Sequence, residues 1–261
     1  MPIQKEKTNE GTNIKKIFAV MSGKGGVGKS TVTSLTAVAL KEKDYKVGIL
    51  DADITGPSIP KLFGINERRA ETDKTGIYPV DSESGIKIMS LNLLLEQEES
   101  PVIWRAPLIT STIKQFYTDV TWGDLDFLLI DLPPGTGDVP LTIMQSIPVD
   151  GIIIVSSPQE LVQLIVRKSI NMAIIMNTKV VGIVENMSYV ICPHCKEEIK
   201  VFGESGIEDL AKDMGLDLLV RLPIDPEFAK LSDEGKIEHV MKTDLKHKTE
   251  ANKIIDKIMS I

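Results

Sequence analysis

Residues 17–30 read IFAVMSGKGGVGKS. An apolar run, 17–22, leads directly into Gly23, Lys24, Gly25, Gly26, Val27, Gly28, Lys29 and Ser30, which fit the spacing G-x-x-x-x-G-K-[ST]. A helical pattern over 30–43 follows, with Thr31 in its first turn. Strand, glycine loop, helix is the context in which this spacing cradles phosphate. The glycines let the backbone wrap an anion closely, with N–H groups turned inward. The helix start adds the positive end of its dipole. Lys29 is positioned to reach β/γ phosphates, and the Ser30 hydroxyl to ligate Mg²⁺. The alternative is a glycine-rich turn with no ligand.

The same rhythm continues outward. Apolar runs occur at 47–51, 86–91, 127–131, 151–156, 180–185 and 218–222. They are apolar on consecutive positions, as strands are when both sheet faces are covered. Helical spacing occupies 108–121, 139–147, 159–177 and 206–214, with a closing helix over 243–261. Alternation of this kind predicts an α/β fold, a mostly parallel twisted sheet flanked by helices. Residues 65–85 interrupt it as a hairpin or long loop, and 188–202 as an insertion bearing both cysteines. Residues 1–13 read as a flexible tail, leaving one domain over 14–261.

Composition narrows the function. The chain has 261 residues, 30 basic and 37 acidic, with a net charge of −7. That balance disfavours a nucleic-acid coat. Two cysteines are too few for a secreted disulfide framework. No apolar run approaches a membrane span, and residues 1–16 lack the apolar stretch of a signal peptide. The expectation is a soluble cytoplasmic protein with no nucleic-acid or membrane partner.

Two strands end in aspartate: GILDAD at 48–53 and LLID at 128–131. Ligands of open parallel sheets sit beyond the strands' C-terminal ends, so both should converge on the glycine loop. Asp131 fits a Mg²⁺-holding position. Asp53 is the candidate to orient or deprotonate attacking water, and Asp51 to support the Mg²⁺ shell. Each could instead cap a helix or turn.

The motifs together resemble one family, the Mrp/ApbC/Nbp-type iron–sulfur cluster carrier ATPases. The resemblance runs through GKGGVGKS at 23–30, DADITGPSIPKLFG at 51–64, VIWRAP at 102–107, DLPPGTGD at 131–138, SSPQE at 156–160, GIVENMS at 182–188, CPHC at 192–195 and LPIDP at 222–226. Lys24 matches the second lysine of the deviant Walker A motif in the MinD/ParA/nitrogenase-iron-protein class. The resemblance implies a homodimer with one ATP per subunit, Lys24 reaching phosphates across the dimer. It implies a [4Fe–4S] cluster bridging two C-x-x-C pairs and passed to apo iron–sulfur proteins. It places Asn186 on the adenine and Pro223 and Asp225 along the base. The family often has W-R-G-P where this chain has Trp104, Arg105, Ala106 and Pro107. No four-cysteine N-terminal segment is present, so a second cluster is not expected.

Read without the resemblance, Cys192 and Cys195 leave several chemistries open. A cluster needs four ligands and one chain offers two thiols, so a two-fold axis is required. A shared structural zinc obeys the same arithmetic. A redox pair and two ordinary cysteines complete the set. Rival functions are a MinD/ParA-like positioning switch on membrane or nucleoid, and a small-molecule kinase or ligase on the same fold.

Overall fold

A computed structural model describes residues 5–54, 56–74, 76–95, 106–159 and 161–261. The strands are β1 (Thr12–Ser22), β2 (Val47–Asp51), β3 (Thr72–Asp73), β4 (Gly76–Ile77), β5 (Val80–Asp81), β6 (Lys87–Met89), β7 (Gly123–Asp131), β8 (Gly151–Ser156), β9 (Val180–Glu185), β10 (Val190–Ile191), β11 (Glu198–Ile199) and β12 (Leu218–Arg221). The helices are α1 (Lys29–Glu42), α2 (Ile59–Leu62), α3 (Ala106–Thr118), α4 (Asp138–Ser146), α5 (Leu161–Ile175), α6 (Ile207–Asp213), α7 (Pro226–Asp233) and α8 (Lys246–Met259).

Eight strands form one sheet in the order β12-β9-β8-β1-β7-β2-β6-β5. Every pairing in it is parallel except β5 with β6. The consecutive apolar residues of β1 explain this burial. Phe18 and Val20 face one core layer, together with residues of α1 and α8. Ile17, Ala19 and Met21 face the other, with residues of α3, α4 and α5. Side chains alternate across a strand, so only a sheet covered on both faces needs apolar residues at every position.

The expected 65–85 hairpin resolves into two pieces: the antiparallel pair β3–β4, and β5 turned back on β6. The expected tail differs more. Residues 5–13 are tied down, with Glu6 N donating to Ser146 O at 2.8 Å and Asn9 N to Thr118 O at 3.0 Å. The Lys5 ammonium donates to the carbonyls of Met144 and Ile147 at the end of α4. Charged residues read as loose because their partners are main-chain carbonyls more than a hundred positions away. Residues 1–4 lie outside the described residues, as do Thr55, Val102, Ile103, Trp104, Arg105 and Glu160 of the quoted motifs.

α8 carries its apolar face inward. Ile254, Ile255 and Ile258 are buried in the core layer that also holds residues of α1. Among the described residues no helix is long and apolar enough to cross a membrane.

Candidate functional site

The central strand β1 delivers the glycine loop to the C-terminal edge of the sheet. Its neighbour β7 delivers Asp131, and the next strand, β2, delivers Asp51 directly opposite in register. The loop then turns into α1. Gly26 and Gly28 both have φ of 80°, a left-handed backbone that L side chains enter only at a cost. A side chain on Gly28 would also meet Asn186, whose Nδ2 lies 2.1 Å from where a Cβ would stand. A side chain on Gly23 would collide with Ile165 at 2.4 Å. Gly28 is thus held by close packing as well as by conformation, Gly23 by packing and Gly26 by conformation.

Lys29, Ser30, Asp53 and Asp131 come together beneath this loop. The Lys29 ammonium donates to Asp131 Oδ2 at 2.7 Å and lies 3.7 Å from Asp53 Oδ2. Ser30 Oγ donates to the same Asp131 oxygen at 2.5 Å, and Thr33 Oγ1 to the other at 2.6 Å. Asp131 is wholly buried, so its charge depends on these three donors. Thr33 was not singled out from the sequence. Its signal was its place one helical turn after Lys29, on the face that meets β7.

Asp51 is also buried, and its oxygens serve its own neighbourhood. Oδ1 accepts from Asp53 N at 3.2 Å, and Oδ2 accepts from Ser90 Oγ at 2.9 Å. Burial, reinforced by the charge of Asp131, pushes its carboxyl up to about 8, with Lys29 and Ser90 offsetting part of the rise. Its local effect is to shape the turn that carries Asp53. Lys24 is exposed at the loop's outer side, and Thr31 is half-buried in the first turn of α1.

The oxygen donors at this edge are a hydroxyl and carboxylates, the set Mg²⁺ favours. With the two left-handed glycines they form a cradle that fits a Mg²⁺-bound polyphosphate.

Asn186 follows β9 and is buried against the loop, its Nδ2 donating to Val27 O at 3.0 Å. Pro223 is buried just beyond β12. Asp225 caps α7, its carboxylate accepting from Glu227 N at 2.8 Å and Phe228 N at 3.3 Å. The capping role holds Asp225 on its own helix, so only its second oxygen is left to face a ligand.

Cys192 and Cys195 belong to a separate cluster that starts at the same edge of the sheet. β9 runs parallel to β8, and β8 to β1, so the chain leaves β9 on the side where the glycine loop lies. The excursion over 188–205 then contains the antiparallel pair β10–β11, and the cysteines occupy its turn. Cys192 N donates to Glu197 O at 2.9 Å, and Lys196 N donates to Cys192 O at 3.0 Å. Lys196 takes a left-handed φ of 65° to close the turn. The Cys192 thiol is held below its ordinary value by the backbone N–H groups of Cys195 and His194, then by the Cys195 thiol. Cys195 is exposed. The turn thus presents two thiols, one of them with backbone N–H donors around its sulfur. Among the described residues no group of three or more metal-binding side chains exists within the chain.

Glu185 was missed by sequence reasoning, although a carboxylate ending an apolar strand was its signal. It is fully buried and accepts hydrogen bonds from the Ser188 and Ser205 hydroxyls and from Arg221.

A family profile described as NUBPL iron-transfer P-loop NTPase matches residues 13–259. The chain is 50% identical over 238 residues to an iron-sulfur cluster carrier protein of Clostridium perfringens, covering 88% of this chain and 83% of that one. It is 48% identical over 249 residues to a protein of the same description from Methanocaldococcus jannaschii, covering 95% and 85%. Among solved structures, a nucleotide-binding protein from Archaeoglobus fulgidus in complex with ADP superposes with a TM-score of 0.78 at 48% identity, covering 87% of this chain and 89% of that one. MinD of Aquifex aeolicus superposes with a TM-score of 0.67 at 19% identity over 94% of this chain and 98% of that one, a likeness of fold alone.

Proposed function

The chain belongs to the NUBPL iron-transfer P-loop NTPase family, and from that premise we propose that it is an ATP-dependent carrier of iron–sulfur clusters. The observation that carries the reading is the two-thiol turn standing off the same sheet edge as the phosphate cradle. Relatives at 48–50% identity described as iron-sulfur cluster carriers support it, as does a structural relative holding ADP.

In this reading the cargo is a [4Fe–4S] cluster. Two chains each contribute Cys192 and Cys195, which completes the four thiolates a cluster needs. The recipients are apo iron–sulfur proteins. The nucleotide is ATP, seated by the backbone of 23–30, with the Lys29 ammonium turning from Asp131 to the phosphates. Ser30 and Asp131 hold Mg²⁺, with Asp51 supporting the shell, and bound Mg²⁺ supplies charge neutralisation at the phosphates. Asp53 lies at the cradle's edge and orients the water that attacks the γ-phosphorus, while the departing ADP oxygen takes the compensating charge. Lys24 of the partner subunit stabilises that charge, as an arginine finger does. Asn186 bonds the adenine edge, and Pro223 and Asp225 line the base. Hydrolysis is slow and serves cluster transfer.

The test is anaerobic reconstitution with iron and sulfide. The wild-type protein is expected to gain iron, sulfide and brown absorbance as a dimer. Cys192→Ser/Cys195→Ser is expected to gain none of these, and equal iron in both proteins sinks the reading. Metal analysis of protein isolated without oxygen separates iron from a shared zinc. A positioning role like that of MinD draws on fold alone, and the apolar face such a role would need on α8 is packed in the core.

A further inference from the structure

We propose that Glu185 is a positioning residue, one that ties the placement of the Cys192–Cys195 turn to the phosphate loop. Nucleotide binding then changes how the two thiols are presented. The proposal rests on the carrier reading only for what the thiols hold.

Burying a carboxylate is costly. Glu185 is the last residue of β9 and has no exposed surface. A carboxyl group in that position persists only when its acceptor sites are filled. Oε1 accepts from Ser205 Oγ. Oε2 accepts from Ser188 Oγ, and from Arg221 Nε at 3.2 Å. Arg221 in turn donates to Glu208 of α6 at 2.8 Å.

The two serines have a special place in the chain. Ser188 opens the excursion that carries the cysteines, and Ser205 closes it. One side chain therefore grips both feet of the segment. The main chain adds to the grip, with Ser188 N donating to Leu222 O at 2.8 Å and Leu222 N to Glu185 O at 2.9 Å. Between the feet the segment is ordered by the short β10–β11 ladder, by Ile224 N donating to Tyr189 O at 2.7 Å, and by Lys246 of α8, which pairs with Glu198 at 3.1 Å and sits over the Tyr189 ring. The feet set where the segment leaves and rejoins the sheet edge, while Lys246 steadies its flank.

The other end of the link is Asn186, the adjacent residue. Its Nδ2 donates to Val27 O inside the phosphate loop, and its own N–H donates to Ser156 O at 2.8 Å. A shift of the loop displaces Asn186, and the Glu185 backbone moves with it. Two hydrogen-bonded steps, joined by the Glu185–Asn186 peptide bond, then separate the loop from the feet of the thiol segment. Such contiguous networks carry coupling between sites.

A carboxylate suits this post for a countable reason. It offers about four acceptor sites to three donors. An amide of the same size is neutral, so it holds the Arg221 guanidinium and the two hydroxyls by weaker bonds than a carboxylate does. Glu185→Gln keeps the volume and, by removing the charge, loosens the hold on both feet.

The experiment follows thiol alkylation by iodoacetamide in the full chain freed of metal, with and without Mg-ATP. It uses wild type, Glu185→Gln, Ser188→Ala/Ser205→Ala and Ser188→Thr/Ser205→Thr. In wild type, nucleotide should change the alkylation rate on the order of fivefold. In Glu185→Gln and the double alanine variant that change should fall to less than about twofold, with ATP affinity unaltered. The double threonine variant keeps both hydroxyls and should restore the response. The alanine pair leaves Glu185 paired with Arg221, so it decides the matter if Glu185→Gln fails to fold. A wild-type protein indifferent to nucleotide, or variants that respond as wild type does, overturns the proposal. The readout needs no cluster, so failure of reconstitution is a separate result.

Discussion

His247→Phe isolates one titration in the fold. His247 lies on α8 with its ring stacked on Phe228, centroids 3.8 Å apart and planes 12° from parallel. It is 1% exposed, and its Nδ1 has no hydrogen-bond partner among the described residues. Burial holds the imidazole down to about 4, against a partial opposing pull from the Asp225 charge and the Pro223 carbonyl. In the unfolded chain the ring titrates near 6.5. The folded state therefore favours the neutral ring, and acid favours the unfolded one. The contribution is whole above about pH 6.5 and drains away as pH falls through the folded value. Each pH step between the two values is worth about 1.4 kcal/mol, so the full loss is about 3 kcal/mol. About 2 kcal/mol of it develops between about pH 7 and pH 4.5. Phenylalanine keeps a ring on Phe228 and removes the proton site. Urea denaturation followed by circular dichroism at both pH values measures the difference. Wild type is expected to lose about 2 kcal/mol more than the variant on acidification. Parallel losses in the two proteins refute the burial argument.

Lys29→Ala removes the one ammonium shared by Asp131 and Asp53, and fluorescent-nucleotide titration should show affinity falling about a hundredfold. Asp53→Ala is expected to leave nucleotide affinity within about twofold and to slow phosphate release about a hundredfold or more. Gly235→Ala should cost on the order of 3 kcal/mol in a denaturant melt. Its φ is 70°, and the new methyl would lie 2.5 Å from the Gly64 Cα, which is backbone and cannot swing aside.

The strands were legible because burial on both faces leaves an unbroken apolar run, as at 17–21 and 151–155. The cradle was legible because its spacing is set by phosphate chemistry rather than by the rest of the chain. What escaped was set by contacts distant in sequence. α7 begins with Pro226 and is capped by Asp225, so IDPEF reads as a loop until the cap is seen. Asp225 read as a base-lining residue, and only the folded chain reveals the two N–H groups on its carboxylate. Glu185 looked like the end of a strand, since Ser188, Ser205 and Arg221 converge on it from three segments. The restraint of residues 5–11 rests on carbonyls, which sequence patterns do not record.

The placement of β1 also orders how the molecule breathes. β1 sits mid-sheet with β7 on one side and β8 on the other, and its amides between 17 and 22 lie under both core layers. Those amides exchange with solvent only when the whole sheet opens. The β10–β11 ladder pairs two residues on each side and lies at the surface, so it exchanges through local opening. The strand beneath the nucleotide seat therefore behaves as an anvil and the thiol turn as the part that gives. The thiol turn can open and close many times within one lifetime of the core.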